Sequence, residues 1–182
     1  MRDDPNNLLA NEAMGMLVVL QCKCDEAAKW FGKAIDLGSE NFVVLVGYGA
    51  SALQNENTNN KDMDVKIETS LRKAIHINPG FAYSYDALAL FYSKHNIKLD
   101  EAHILELQAI EINPQEVMFW LDNAQILVQQ DRYKDAINGL KLGLEKVIEE
   151  RVKLAFKSSW TSIRLRSTKR AIPHLRKLRS SS

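Results

Sequence analysis

Cysteine is scarce in this chain, with two in 182 residues, Cys22 and Cys24. One close pair cannot build a disulfide framework, and without a second Cys/His pair it cannot supply the four ligands of a zinc site. Long apolar runs are missing as well. The longest, Met16 to Leu20 and Phe42 to Val46, fall far short of the roughly 20 residues that cross a bilayer as a helix. The opening Met1-Arg2-Asp3-Asp4-Pro5 lacks the cationic and apolar regions of a secretory leader, so none is expected. Glycine-rich phosphate loops, a Gly-x-Ser-x-Gly elbow and repeated acidic metal motifs are all absent. The histidines His76, His95, His103 and His174 show no His-x-x-x-His or Glu-x-x-His pairing that would place two ligands on one helix face. The sequence predicts a non-enzymatic chain with no metal and no cofactor, located in the cytoplasm or nucleus.

What the chain does have is repetition. Ala74-Ile75-His76-Ile77-Asn78-Pro79 recurs 35 residues later as Ala109-Ile110-Glu111-Ile112-Asn113-Pro114. A period near 34 that closes on Ala…Asn-Pro is the mark of stacked helical hairpins. The last unit is the plainest: Trp120, then Ala124 four residues on, then a turn at Asp131-Arg132-Tyr133-Lys134-Asp135-Ala136, with Leu140 and Leu144 expected on the inner face of the second helix. An aromatic on helix A, a small residue where the helices touch, an aromatic at the turn and an alanine on helix B resemble the tetratricopeptide repeat.

The other units fit the same frame with departures. In the unit from about Phe81 to Gln115, Ala89 and Tyr92 take helix A positions and Ala102 and Ala109 take helix B positions; one extra residue in the Lys94–Leu99 turn accounts for the period of 35. The first unit, about Leu8 to Glu40, offers Gly15, Ala27, Phe31 and Ala34, but has Cys24 where an aromatic is usual and Ser39 in place of proline. In the second, Tyr48-Gly49 fit helix A and Leu71, Ala74 and Pro79 fit helix B. Between them the polar stretch Asn55 to Asp62 reads as a lengthened loop, either a tolerated insertion or a partner contact. Nearby, Asp62, Asp64 and Glu68 read as acids that favour a helix N-terminus. The resemblance covers about four fifths of the chain and implies an all-α, right-handed solenoid of four hairpins: residues 8–40, 41–80, 81–115 and 116–150, after an extension at 1–7.

Charge divides the chain near Glu150-Arg151. Residues 151–182 hold ten of the 24 Lys/Arg and none of the 23 Asp/Glu, a charge of +10, which leaves −9 on the rest. Val152, Ala155, Phe156, Trp160 and Ile163 recur at helical spacing, so 151–167 is expected to be an amphipathic helix that caps the array. The alternative is an interfacial helix in lipid headgroups. Residues 168–182, with Pro173 and terminal serines, are expected to be a disordered basic tail.

Two kinds of partner follow. The resemblance implies a concave groove built from helix A positions: Leu9, Glu12 and Met16; Val43, Val46 and Ala50; Tyr83, Asp86 and Leu90; Met118, Leu121 and Gln125. Relatives that grip acidic chaperone C-termini use Lys, Arg and Asn at such positions. The largely apolar set here implies instead a protein or peptide partner with hydrophobic anchors, hence a scaffold within a multiprotein complex. The alternative is an RNA- or nucleic-acid-associated adaptor in which Arg164, Arg166, Lys169, Arg170, Arg176, Lys177 and Arg179 contact phosphates, of nucleic acid or of anionic lipid. A solubilising tail, a nuclear-import signal or a tail folded onto the acidic array are further readings of the same charges.

Overall fold

The computed structural model describes residues 6–54 and 61–154. The described residues form helices joined by short turns: α1 (Leu8–Leu20), α2 (Cys24–Asp36), α3 (Phe42–Leu53), α4 (Lys61–Ile77), α5 (Ala82–Lys94), α6 (Leu99–Ile112) and α7 (Val117–Gln129), then α8 at 133–154. Local chemistry sets several starts. Asn7, Asn41 and Glu116 each accept a hydrogen bond from a backbone N–H in the first turn of α1, α3 and α7, satisfying donors that a helix start leaves open. The α1–α2 and α7–α8 turns bend through left-handed residues, Cys22 and Asp131, while the longer α5–α6 turn uses two, Asn96 and Lys98. Helix α4 begins at Lys61, so Lys61 and Asp62 belong to helix rather than to the long loop expected through Asp62; residues 55–60 lie outside the described residues.

Each hairpin stacks on the next to give an α-solenoid with two layers. Among α1–α7, odd helices pack on odd ones (α1 on α3, α3 on α5, α5 on α7), but no even helix packs directly on another even one. The stack therefore curves with the odd helices inside. The outer layer is bridged instead by long charged side chains. Lys66 reaches Asp36 at 2.7 Å, Arg72 reaches Glu101 at 2.7 Å and Lys98 reaches Glu68 at 2.7 Å.

Small residues let the helices meet. Ala27, Ala34, Ala74, Ala102 and Ala109 are fully buried at the hairpin crossings. Closer still, Phe31 of α2 is held between two glycines. A Cβ on Gly15 of α1 would lie 2.4 Å from the Phe31 ring, and one on Gly47 of α3 would lie 2.7 Å from it. One ring thus locks three helices, and its lack of room on either side is a sequence requirement.

The Asn-Pro phrase has a structural task at both of its occurrences. The Tyr85 hydroxyl donates to the Pro79 carbonyl at 3.1 Å, and the Trp120 indole N–H donates to the Pro114 carbonyl at 3.0 Å. Both latches span six residues, and both pull the next helix A back onto the turn that precedes it. At the junction of α2 and α3 the equivalent positions are Ser39 and Leu45, which cannot form this bond; Ser39 donates to Glu12 at 2.5 Å instead. Trp120→Phe keeps most of the packing and removes the donor. The expected result is a loss of about 1 kcal/mol in a urea unfolding curve with an unchanged m-value.

The last hairpin departs from the sequence reading in one respect. Leu140 and Leu144 do not face inward: they are 37% and 63% exposed, while Ala136 is buried and Gly143 faces the core. The reason is Trp120. A Cβ on Gly143 would sit 2.6 Å from the indole, so only a bare glycine face of α8 admits the ring and the leucines turn outward. Helix α8 runs unbroken through 150–151 to 154, and residues 155–182 lie outside the described residues. Ile137, Leu140, Leu144, Ile148 and Val152 leave an exposed apolar stripe along it. No described helix is long and apolar enough to cross a membrane.

Candidate functional site

The inner layer carries a hollow of about 380 Å³ between α3, α5 and α7. Of the residues expected in a groove, Ala50, Asp86, Leu90 and Gln125 line it together. Its far wall is fixed by Ser93, which donates to Gln129 at 2.8 Å while the Gln129 amide returns a bond to the Ser93 carbonyl. Lys94 closes one end by donating to the Leu53 carbonyl. Leu9, Met16, Val43, Tyr83, Met118 and Leu121 are exposed on the odd helices but do not line this hollow. Two expected groove residues are engaged elsewhere. Val46 is 8% exposed and packs in the core, because α3 is surrounded and apolar on nearly every side. Glu12 accepts bonds from Ser39 and Asn41, tying α1 to the α2–α3 turn. The basic residues Arg164 to Arg179 lie outside the described residues.

Above the hollow, the N-terminal ends of the inner helices are joined by a run of aromatics. Phe42 meets Phe81 at 5.1 Å, Phe81 meets Tyr83 at 5.6 Å and Tyr83 meets Phe119 at 5.2 Å, two of the three contacts edge-on. The Tyr83 hydroxyl donates to Glu116 at 2.9 Å. Rings in such contact hold their spacing well, so the inner surface is preorganised.

A larger hollow, about 780 Å³, opens on the outer side between α2 and α4. The Lys66–Asp36 ion pair bridges its two walls, and Lys33 lies 5.3 Å over the Trp30 ring. Its polar groups thus serve the stitching of the outer layer. Farther along that layer, Glu68 accepts from Tyr92 at 2.6 Å, Lys98 at 2.7 Å and Arg72 at 3.1 Å. Burial alone would raise its carboxyl, but the bonds from Lys98, Tyr92 and Arg72 outweigh it and hold Glu68 down at about 2. Glu68 therefore joins repeats two and three, a role different from the helix-end one read from the sequence.

The inner layer also hides a group that the sequence reading passed over. Asp86 of α5, Glu106 of α6 and Asp122 of α7 each bring one carboxylate oxygen within 4.8 Å of the other two. Glu106 is fully buried, and neither of its oxygens meets a hydrogen-bond donor outside the cluster. One oxygen of Asp86 is likewise buried and unmatched. Among the described residues, no lysine or arginine pairs with any of the three. Burial, reinforced by Asp86 and Asp122, pushes Glu106 far above the usual carboxylate range. Burial, then Asp122 and Glu116, also holds Asp86 high, and burial raises Asp122. At neutral pH such a cluster must hold protons or a cation. Beside it, His103 Nδ1 and Asn123 Oδ1 lie 2.6 Å apart, which fixes α6 against α7. A signal for Glu106 was present in the sequence: it falls on the stripe between Ala102 and Ala109, where a charged side chain is out of place.

No protein-family model matches the chain, and no curated protein matches it. Solved structures do share the fold. A crystal structure of MamA superposes with a TM-score of 0.68 at 21% identity, covering 82% of this chain and 78% of that one. MamA 41-end from Desulfovibrio magneticus RS-1 gives 0.67 at 19% identity, over 82% and 80% of the two chains. YrrB, described as a TPR protein with an unusual peptide-binding site, gives 0.66 at 17% identity over 85% and 76%. At these identities the likeness is one of fold, and the fold is TPR-like.

Proposed function

We propose that this TPR-like solenoid is a non-enzymatic scaffold that presents its inner groove to a partner peptide or subunit within a larger complex. The observation that carries the reading is the preformed hollow between α3, α5 and α7, where apolar Ala50 and Leu90 adjoin the amides of Gln125 and Gln129. Apolar anchoring beside amide donors and acceptors suits an extended or helical segment that brings hydrophobic side chains and leaves backbone groups to satisfy. The peptide-binding site named for YrrB, a protein of like fold, supports the same use of this architecture. An acidic chaperone tail is a poor occupant, because Asp86 stands in the lining.

Placing a bulky cation in the hollow tests this. Ala50→Arg sits on an exposed position of α3 and should leave the fold intact by circular dichroism. The expected result is that a partner recovered by affinity purification with the intact chain is lost with Ala50→Arg and kept when residues 164–182 are removed. The opposite pattern, loss on tail removal and full recovery with Ala50→Arg, would overturn the reading in favour of the basic tail as the contact, with affinity falling steeply with salt.

A further inference from the structure

We propose that Asp86, Glu106 and Asp122 form a binding site for a divalent cation, of calcium size, that staples the third repeat to the fourth. The donor set is all oxygen and all carboxylate, which selects hard cations such as calcium, magnesium or manganese over zinc or copper. Geometry narrows the choice. Two oxygens on one ion can be at most twice the metal–oxygen distance apart, about 4.6–5.2 Å for calcium and about 4.0–4.2 Å for magnesium. One oxygen from each residue lies within 4.8 Å of the other two, a limit inside the span of calcium and wider than magnesium bridges.

The second observation is Glu106 itself. Its residue is 0% exposed, neither carboxylate oxygen meets a donor outside the cluster, and one of them faces Asp86 and Asp122. A buried acid faced only by other acids is a cost that folds seldom retain, and an ion at this point would give Glu106 and Asp86 the positive partner they lack. Access exists from the inner hollow. Asp86 lines that hollow and Asp122 is only partly buried, so an ion would enter past Asp86 and keep water as its remaining ligands. Each carboxylate comes from a different helix, α5, α6 and α7, and the ion would cross-link them where the array passes from one hairpin to the next. Ion uptake involves the chain alone and does not depend on the groove accepting a partner.

The test is a calcium chloride titration of the full chain at pH 8 after EDTA treatment and desalting, followed by calorimetry and by thermal melting. Wild type is expected to bind one ion per chain and to melt several degrees higher with calcium, while magnesium gives a smaller shift. Glu106→Gln keeps the shape and should weaken the affinity by more than about tenfold, the lower end of what loss of even an outer-shell partner costs. Asp86→Asn serves as a second variant, should Glu106→Gln fold poorly. Asp135→Asn, on an exposed acid paired with Arg132, should bind like wild type. Absence of heat and of any melting shift with calcium, magnesium and manganese would overturn the proposal and leave the cluster as a proton-holding one. A shift equal in wild type, Glu106→Gln and Asp86→Asn would overturn it too, by placing the ion elsewhere.

Discussion

Glu106→Gln is expected to raise the stability of the cation-free protein at pH 8 by a few kcal/mol, since each pH unit that the folded carboxyl stays protonated above its ordinary value costs about 1.4 kcal/mol. At pH 4 it should leave the stability almost unchanged. The sign follows from which state holds the proton. Burial first, then Asp86 and Asp122, raise the folded-state pKa of Glu106. In the unfolded chain it titrates near the ordinary carboxylate value. Below that value both states are protonated, and Glu106 carries no penalty. As pH rises above it the unfolded chain releases its proton while the folded one keeps it, so stability falls steadily toward the folded pKa. Glutamine does not titrate and escapes this loss. The charges acting on Glu106 are Asp86 from α5 and Asp122 from α7, both of the same sign, while Glu116 at the start of α7 acts on Asp86. Urea unfolding in EDTA across pH 4 to 8 measures the effect. A Glu106→Gln protein less stable than wild type at pH 8 would mean that the carboxylate is ionised and satisfied, and the account given for the cluster would fail.

The second large effect lies at Phe31. Phe31→Ala should cost about 3–5 kcal/mol, because a fully packed ring is removed from a site that three helices cannot collapse to fill. The more telling variant is Gly15→Ala. In an open helix this change stabilises by about 1 kcal/mol; here the new methyl meets the ring at 2.4 Å, and overpacking of this kind costs about 1–3 kcal/mol. The ring cannot retreat, since Gly47 bounds it on the other side. In a Phe31→Leu background the flat ring is gone and Gly15→Ala should turn neutral or favourable. That reversal in a double-mutant cycle would locate the cost in the pinned ring; additive effects would locate it in the helix backbone.

The repeats were readable because they are local. A period of 35 residues, alanines at crossings and a proline at two of the closing turns are properties of one hairpin at a time, and the structure uses Ala74, Ala109, Pro79 and Pro114 in equivalent ways. What was not readable depends on three helices at once. Asp86, Glu106 and Asp122 stand 20 and 16 residues apart in the chain, and nothing in those intervals says that α5, α6 and α7 turn them toward a common point. Glu106 alone carried a trace, as an acid on a buried stripe. Leu140 and Leu144 were misplaced for a related reason: leucine ordinarily wins the inner face of a helix, but the bulk of Trp120 on α7 gave that face to Gly143. Val46 went to the core rather than the groove because α3 has neighbours on more sides than a single hairpin pattern implies.

The unlike construction of the two layers has a mechanical consequence. On the inside, aromatic rings and glycine-to-ring contacts resist any change of spacing. On the outside, the links are lysine and arginine side chains, each with several rotatable bonds and much of its charge in water. Such links stretch by a fraction of an ångström at little cost, and they weaken as salt rises. Bending the stack therefore loads the outer edge first while the inner spine keeps its length. Raised ionic strength is therefore expected to loosen the outer rim before the inner spine, so that salt acts on the curvature of the stack sooner than on the spacing of its groove-forming helices.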